Sequence, residues 1–294
     1  MRPPRRRRIM NRKKPPLKMN NVIVRSISGV VFILAMLACL MFNKFLFAGM
    51  IIFVMSVMLL EFYHITMNGS YTFSKILAIL AAIFLFGILF AVSSYHIPIR
   101  FVAFAMIPVF IVMINSLYVK EKEEYGKFSN IYTGLLYIAV PIALSNLIAF
   151  DKAGNFSGNL LLCFFIIIWC SDVGAFTFGI SLGKIFPKKL LPSVSPKKTW
   201  IGFFGGLVSS ILAAYLLFQF GLLRFPLMHC LILSVIMSVT GVYGDLFESQ
   251  WKRVYGVKDS GKIIPGHGGF LDRFDSTLMA MPSGAIYLAI FDLL

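Results

Sequence analysis

Nine stretches of this sequence, at about 22–42, 45–60, 76–92, 99–119, 131–150, 160–180, 201–222, 227–246 and 277–294, are strongly apolar and nearly free of charge. Most have roughly the ~20 residues a helix needs to cross the hydrocarbon core of a bilayer. Inside lipid each backbone N–H and C=O must be paired within the protein, which leaves helices as the natural spanning element. The expected fold is an all-α integral membrane protein, a polytopic bundle of about nine transmembrane helices. The second and third runs are short, so the count carries a margin of one. Composition agrees: 59% of residues are hydrophobic and 14% charged, against roughly 45–50% and ~25% in soluble domains. A water-soluble globule, a disordered chain, a collagen and a disulfide scaffold are excluded. Cys39, Cys163, Cys170 and Cys230 all lie inside apolar runs without C-x-x-C spacing, and read as small core residues rather than zinc ligands.

A net charge of +16 would suggest nucleic acid in a soluble protein, but basic residues are retained on the cytoplasmic side of membrane spans. With the N-terminus inside, segments 1–21, 61–75, 120–130, 181–200 and 247–276, together with Arg25, hold 24 of the 28 Lys and Arg residues. The opposite loops hold only Lys44, Arg100, Lys152 and Arg224. The expected topology is therefore N-in and C-out, with the lipid bilayer as partner and no nucleic acid. The chain divides into a basic cytoplasmic tail (1–21), N-terminal membrane helices (22–150) and a C-terminal membrane region (151–294) with cytoplasmic loops 181–200 and 247–276. The tail fixes topology or touches anionic lipid. No removable signal peptide is expected, because the first apolar run is long and is followed by eight more.

Polar chemistry concentrates in the two inward loops and in one span. Asp172, in WCSDVGAFTFG, stands about nine residues from the inner edge of the sixth run, ~14 Å deep at ~1.5 Å per residue. An ionisable group at that depth points to function, with a helix-packing Asp as the plainer alternative. The stretch GDLFESQWKRVYGVKDSGKIIPGHGGFLDRFDS follows the eighth run. Asp245 and Glu248 are three apart, as are Asp272 and Asp275, so in helices each pair shares a face. Carboxylates gathered near a membrane surface suit a hard cation such as magnesium, which leaves positions for water and phosphate oxygens. Lys252, Arg253, Lys258, Lys262 and Arg273 among them fit a metal-bound polyphosphate. SPKKT, Ser195 to Thr199, combines a proline turn, two lysines and a helix start, either an anion site or a positive-inside anchor. Gly256 to Lys262 imitates a P-loop, but Ile263 stands where Ser or Thr should hold magnesium. Of the histidines, only His267 sits in polar company.

From Ser249 to Asp275 the pattern S-x-x-K-R-x4-K-D-x-G-x-x-I-P-G-H-G-G-x-L-D-R-x-D resembles the signature of the phosphatidate cytidylyltransferases, the CDP-diacylglycerol synthases. SPKKT and D-V-G-A-F resemble the family's other motifs in the same order. The resemblance covers roughly residues 165–280; the first 150 residues share only the character of membrane helices. Ile201 departs from an acidic residue in the family's pattern.

The resemblance implies that phosphatidic acid and CTP give CDP-diacylglycerol and pyrophosphate, with magnesium as cofactor and a second, monovalent cation left open. It implies that Asp245 and Asp272 hold the metal, with Asp275 and Asp172 as further ligands or orienting groups. Lys197, Lys198, Lys252, Arg253, Lys258 and Arg273 would neutralise phosphates, Ser195 and Thr199 would complete the SPKKT site, and His267, Gly268 and Gly269 would shape the loop around nucleotide. It also implies a homodimer. The size of the chain suggests a bacterial plasma membrane with the site facing the cytoplasm. Two rivals are a CTP-using polyprenol or dolichol kinase, which would release CDP, and a secondary transporter using Asp172, which leaves the HGG loop unexplained. A CDP-alcohol phosphotransferase would need a D-G-x-x-A-R run that is absent from the sequence.

Overall fold

The computed structural model describes residues 19–67, 71–119, 125–264 and 268–294. Residues 1–18 of the basic tail, the loop acids Glu121, Glu123 and Glu124, and His267 lie outside the described residues. The described helices are α1 (Met19–Met41), α2 (Lys44–Met67), α3 (Thr72–Tyr95), α4 (Ile99–Ser116), α5 (Tyr125–Ala149), α6 (Asn159–Ser181), α7 (Trp200–Gln219), α8 (Leu227–Val254) and α9 (Leu271–Ile290). Seven of them, α2 to α8, are long and apolar enough to cross a membrane. The other two correspond to the first and last apolar runs: α1 is apolar over Ile27–Met41, and α9 opens on the charged turn LDRFD.

Two features depart from the sequence expectation. The 247–276 segment is helical at both ends, because α8 continues through Glu248, Gln250, Lys252 and Arg253 to Val254 and α9 begins at Leu271. These residues are good helix formers, and Lys252 pairs with Glu248 one turn earlier. The 181–200 segment contains a small sheet in an otherwise helical chain: β1 (Lys189–Leu191) pairs antiparallel with β2 (Ser195–Thr199), Lys189 opposite Thr199 and Leu191 opposite Ser195. Pro187, Pro192 and Pro196 lack the N–H that a helix interior requires, so this stretch turns back on itself. In α5 a π-helical turn, Leu135–Ala139, precedes Pro141. The proline's missing donor and bulky ring favour such a local widening.

The core is aromatic and sulfur-rich, with Phe47, Met55, Met58, Tyr63, Phe86, Phe164 and Phe165 essentially inaccessible. Large apolar side chains also cover the outside, as in α4, where Ile107, Phe110, Ile111 and Ile114 are exposed, an arrangement suited to lipid rather than water. Helices α6 and α7 approach closely because small residues face each other. A side chain on Gly174 would strike Ser209 and the Gly205 carbonyl, and one on Gly206 would strike the Ser171 carbonyl. The same device joins α8 to α9, where Gly244 lies against the Asp275 carbonyl.

Candidate active site

The chemistry-bearing residues meet where α6, α8 and α9 converge. Asp172 on α6 and Asp245 on α8 belong to the walls of two clefts at once. One cleft, of about 500 Å³, is closed by the β1–β2 hairpin and lined by Lys197, Lys198, Thr199, Gly179 and Gly202. Thr199 ends β2 and caps α7, its Oγ1 accepting from the Gly202 N–H at 3.2 Å, which fixes the two preceding lysines relative to the helix start. Lys198 Nζ reaches across to Asp245 Oδ2 at 2.6 Å. Ser249 Oγ donates to the other oxygen of Asp245 at 3.2 Å.

The second cleft, of about 550 Å³, is lined by Asp172, Asp245, Asp272, Arg273 and Asp275, and on its far side by apolar residues of α1 and α6. Phe32, Ile33, Trp169 and Val173 supply that wall. Apolar side chains make up much of both walls, Ala175, Phe176, Ile180, Leu190, Phe203 and Val242 in the first and Phe32, Ile33, Trp169 and Val173 in the second; the clefts differ in charge, the first holding Lys197 and Lys198 and the second Asp272, Arg273 and Asp275, and they share two carboxylates.

Asp272 and Lys252 are occupied by each other. Lys252 Nζ bridges Asp272 Oδ1 at 2.8 Å and Glu248 Oε2 at 2.6 Å, and both carboxylates are almost wholly buried. Asp272 Oδ2 also accepts the backbone N–H groups of Ser260 and Gly269, each at 2.9 Å. Burial opposes the charge on Asp272, but Lys252 and these two N–H donors outweigh it and hold the carboxyl below its usual range. Gly268, at φ +89°, turns the loop back so that Ile264 N–H donates to its carbonyl at 3.0 Å; a side chain there would meet Asp272.

The other carboxylates are less satisfied. Asp275 accepts from the Ser276 N–H at 2.7 Å, and Asp172 accepts from Ser276 Oγ at 3.3 Å. Three acids around shared clefts, with Lys198 as the nearest ammonium partner of Asp245, leave negative charge for which a hard cation is the natural complement. Among the described residues no three acid, histidine or cysteine side chains are gathered closely enough to hold a metal by themselves.

Of the residues singled out in the sequence, Asp172, Asp245, Asp272, Arg273 and Asp275 line the second cleft, and Lys197, Lys198 and Thr199 the first. Ser195 begins β2, two residues before Lys197. Lys252 faces Glu248 and Asp272, and Arg253 and Lys258 are exposed. Gly269 contributes its N–H to Asp272.

One residue escaped sequence reasoning. Glu61, near the end of α2, is 6% exposed and accepts from Ser260 Oγ at 3.1 Å, Phe270 N–H at 3.1 Å and Leu271 N–H at 2.9 Å. The signal was present: it is the single acid in a 24-residue apolar helix, the criterion that had marked Asp172.

Comparison with known proteins gives a consistent result. A family model described as "Cytidylyltransferase family" matches residues 23–291, so the likeness extends well beyond the C-terminal half. A phosphatidate cytidylyltransferase of Bacillus subtilis is 36% identical over 187 residues, 64% of this chain and 68% of that protein. One from Staphylococcus epidermidis is 47% identical over 122 residues, 42% of this chain and 46% of that protein. One from Staphylococcus aureus is 44% identical over 124 residues, with the same shares. The matched region therefore spans about half the length of the staphylococcal relatives.

Proposed function

The chain belongs to the cytidylyltransferase family, and from that premise we propose that it transfers CMP from CTP to phosphatidic acid, releasing pyrophosphate and forming CDP-diacylglycerol. The observation that carries this reading is the pair of unlike clefts sharing Asp172 and Asp245. A reaction between a water-soluble polyanion and a lipid needs a cation-bearing compartment and an apolar-walled one that meet at the reacting atoms; both clefts have apolar walls, and Lys197 and Lys198 distinguish the first. We assign the nucleotide triphosphate to the hairpin cleft with Lys197 and Lys198, and the lipid to the cleft walled by Phe32, Ile33, Trp169 and Val173. Arg273 stands at the acidic end of the lipid cleft, where it would meet the phosphate monoester.

The chemistry asks little of the protein beyond holding and charge control. A phosphate monoester has a second pKa near ~6, so its oxygen is an anionic nucleophile at neutral pH without a general base. That oxygen forms a bond to the α-phosphorus of CTP, the bond from the α-phosphorus to the bridging oxygen breaks, and the electron pair leaves with pyrophosphate. Lys197, Lys198 and Arg273 reduce repulsion between the two anions and align them. Asp245, Asp275 and Asp172 would hold magnesium, which when bound offsets charge on the phosphate oxygens. Asp272 is a weaker candidate, because Lys252 and two backbone N–H groups already use its oxygens. A monovalent cation beside the magnesium would suit the same acidic wall.

The split of 24 basic residues against four supports an N-in, C-out arrangement with the clefts facing the cytoplasm. The bacterial relatives support a plasma-membrane location, and the family resemblance a homodimer. The test is release of labelled pyrophosphate from CTP by purified protein in detergent, with phosphatidic acid and magnesium each present or omitted. The expected result is release that needs both, matched by equal CDP-lipid. Release of CDP instead would replace this reading with a lipid kinase, and no CTP turnover would overturn it.

A further inference from the structure

We infer that Glu61 is a positioning residue that locks Ser260 and the Phe270–Leu271 start of α9 onto the N-terminal helices and so sets Arg273 and Asp275 against the substrates. This inference rests on the cytidylyltransferase reading for its catalytic consequence, but the lock itself does not.

Four observations carry it. The carboxylate of Glu61 accepts hydrogen bonds from Phe270 and Leu271 N–H, at the very start of α9, across sequence separations of 209 and 210 residues. The first N–H groups of a helix have no partner within it, and a carboxylate there both satisfies them and complements the helix dipole. Ser260 Oγ ties the far end of the loop to the same carboxylate at 3.1 Å, while donating nothing to α9, whose Asp272 N–H instead donates back to it at 3.3 Å. Space around Glu61 is reserved as well. A side chain on Gly261 would strike the Glu61 carboxylate, and one on Gly269 would strike both it and Ser260. Finally, Phe270 lies between α1 and α2, with its ring 6.0 Å edge-to-face from both Phe32 and Phe53. Phe32 is also a wall of the lipid cleft.

Ser260 and the start of α9 are thus seated in a socket made by the first two helices, and α9 carries Asp272, Arg273 and Asp275 into the cleft from that seat. The hairpin lysines of the other cleft have no contact with Glu61 and are held by α7 and Asp245. Loss of the lock should therefore misplace the α9 groups and spare the nucleotide cleft.

The experiment uses the full chain in detergent, with Glu61→Ala, Glu61→Gln and Gly261→Ala. Two readouts are taken: steady-state turnover per CTP-binding molecule, and the sites of brief trypsin cleavage. In Glu61→Ala we expect kcat at least about tenfold lower, in line with the cost of an ångström-scale misplacement, with KM for CTP within about twofold. Cleavage should rise at Lys258 and Lys262 but not at Lys188, Lys189 or Lys197. Glu61→Gln, which keeps one acceptor oxygen, should fall between. Gly261→Ala should resemble Glu61→Ala, and the double variant should be no worse than either, because both break one contact. Unchanged kcat and cleavage in Glu61→Ala would overturn the inference while leaving the cytidylyltransferase reading intact. Cleavage rising equally at the hairpin lysines would overturn it in favour of a general loss of structure. Should Glu61→Ala fail to fold, the Gln and Gly261 variants decide by the same criteria. If the wild type does not turn over CTP, that reading fails, and the cleavage pattern still tests the lock.

Discussion

Replacing Lys252 separates two roles for the same charge, and the structure gives the magnitude. Its Nζ stands 2.6 Å from Glu248 and 2.8 Å from Asp272, whose side chains are 2% and 7% exposed. Lys252→Met removes the ammonium, keeps most of the aliphatic stem and leaves two buried carboxylates facing each other. Breaking a buried pair by removing one partner costs about 3–5 kcal/mol, because the remaining charge is uncompensated. Asp272 keeps its two backbone N–H donors, so the larger part of the loss falls on Glu248, which has no other charged partner in the described structure. For a chain of this size the shift in thermal midpoint is on the order of 10 °C. The assay is thermal unfolding of purified protein in detergent, followed by intrinsic fluorescence, for wild type, Lys252→Met and Lys252→Met/Glu248→Gln. The double variant should regain more than half of the loss, since a neutral amide at 248 no longer needs a cation. A Lys252→Met protein as stable as wild type but devoid of turnover would refute this reasoning and make Lys252 a substrate-facing cation.

The remaining predictions concern the clefts and their supports. Asp245→Asn and Asp275→Asn should each lower pyrophosphate release by at least about a hundredfold with helix content unchanged by circular dichroism; near-wild-type turnover in both would remove the metal assignment. Asp272 is held below its ordinary range by Lys252 and two N–H donors, so its stabilising charge is fully present above the unfolded value near ~4 and is lost as pH falls through the lower folded value. The difference in thermal midpoint between wild type and Asp272→Asn should be constant above about pH 5 and shrink below about 4, and a difference that keeps its size through the acid limb would contradict this origin. Thr199→Ala should cost about 1 kcal/mol through the lost cap of α7 and raise KM for CTP more than it lowers kcat, because Lys197 and Lys198 precede the cap; a changed kcat with constant KM would point elsewhere.

The acids show how a single residue type is divided by its surroundings. Asp245 and Glu248 share one helix and were expected on one face, yet Asp245 turns to the hairpin lysine and the cleft, while Glu248 turns inward to Lys252. Asp272 and Asp275 both line the second cleft but differ in partners, the first tied to Lys252 and two loop N–H groups and the second accepting from the Ser276 N–H. Three residues along a helix turn a side chain by about 60°, enough to put one carboxylate in a packed interface and its neighbour in a cavity.

Residue order shows the long apolar runs, the approximate positions of the helices, the asymmetry of basic charge, and the family resemblance through motifs between Asp172 and Asp275. Each of these is carried by residues close together in the chain: a run of apolar side chains, lysines in one loop, a string of glycines and acids. Which charges line the clefts and which pair with each other follows only from the folded chain. Tertiary structure extended α8 into the expected loop, folded the SPKKT segment into a hairpin against Asp245, and placed Glu61 on a loop some 200 residues away. Those outcomes depend on how closely helices approach, through Gly174, Gly206 and Gly244, and on which buried charge has a partner within reach. In a low-dielectric interior a charge a few ångströms from its partner is stable and an unpaired one is not, so the assignment of roles follows from distances between helices, which are absent from any local stretch of sequence.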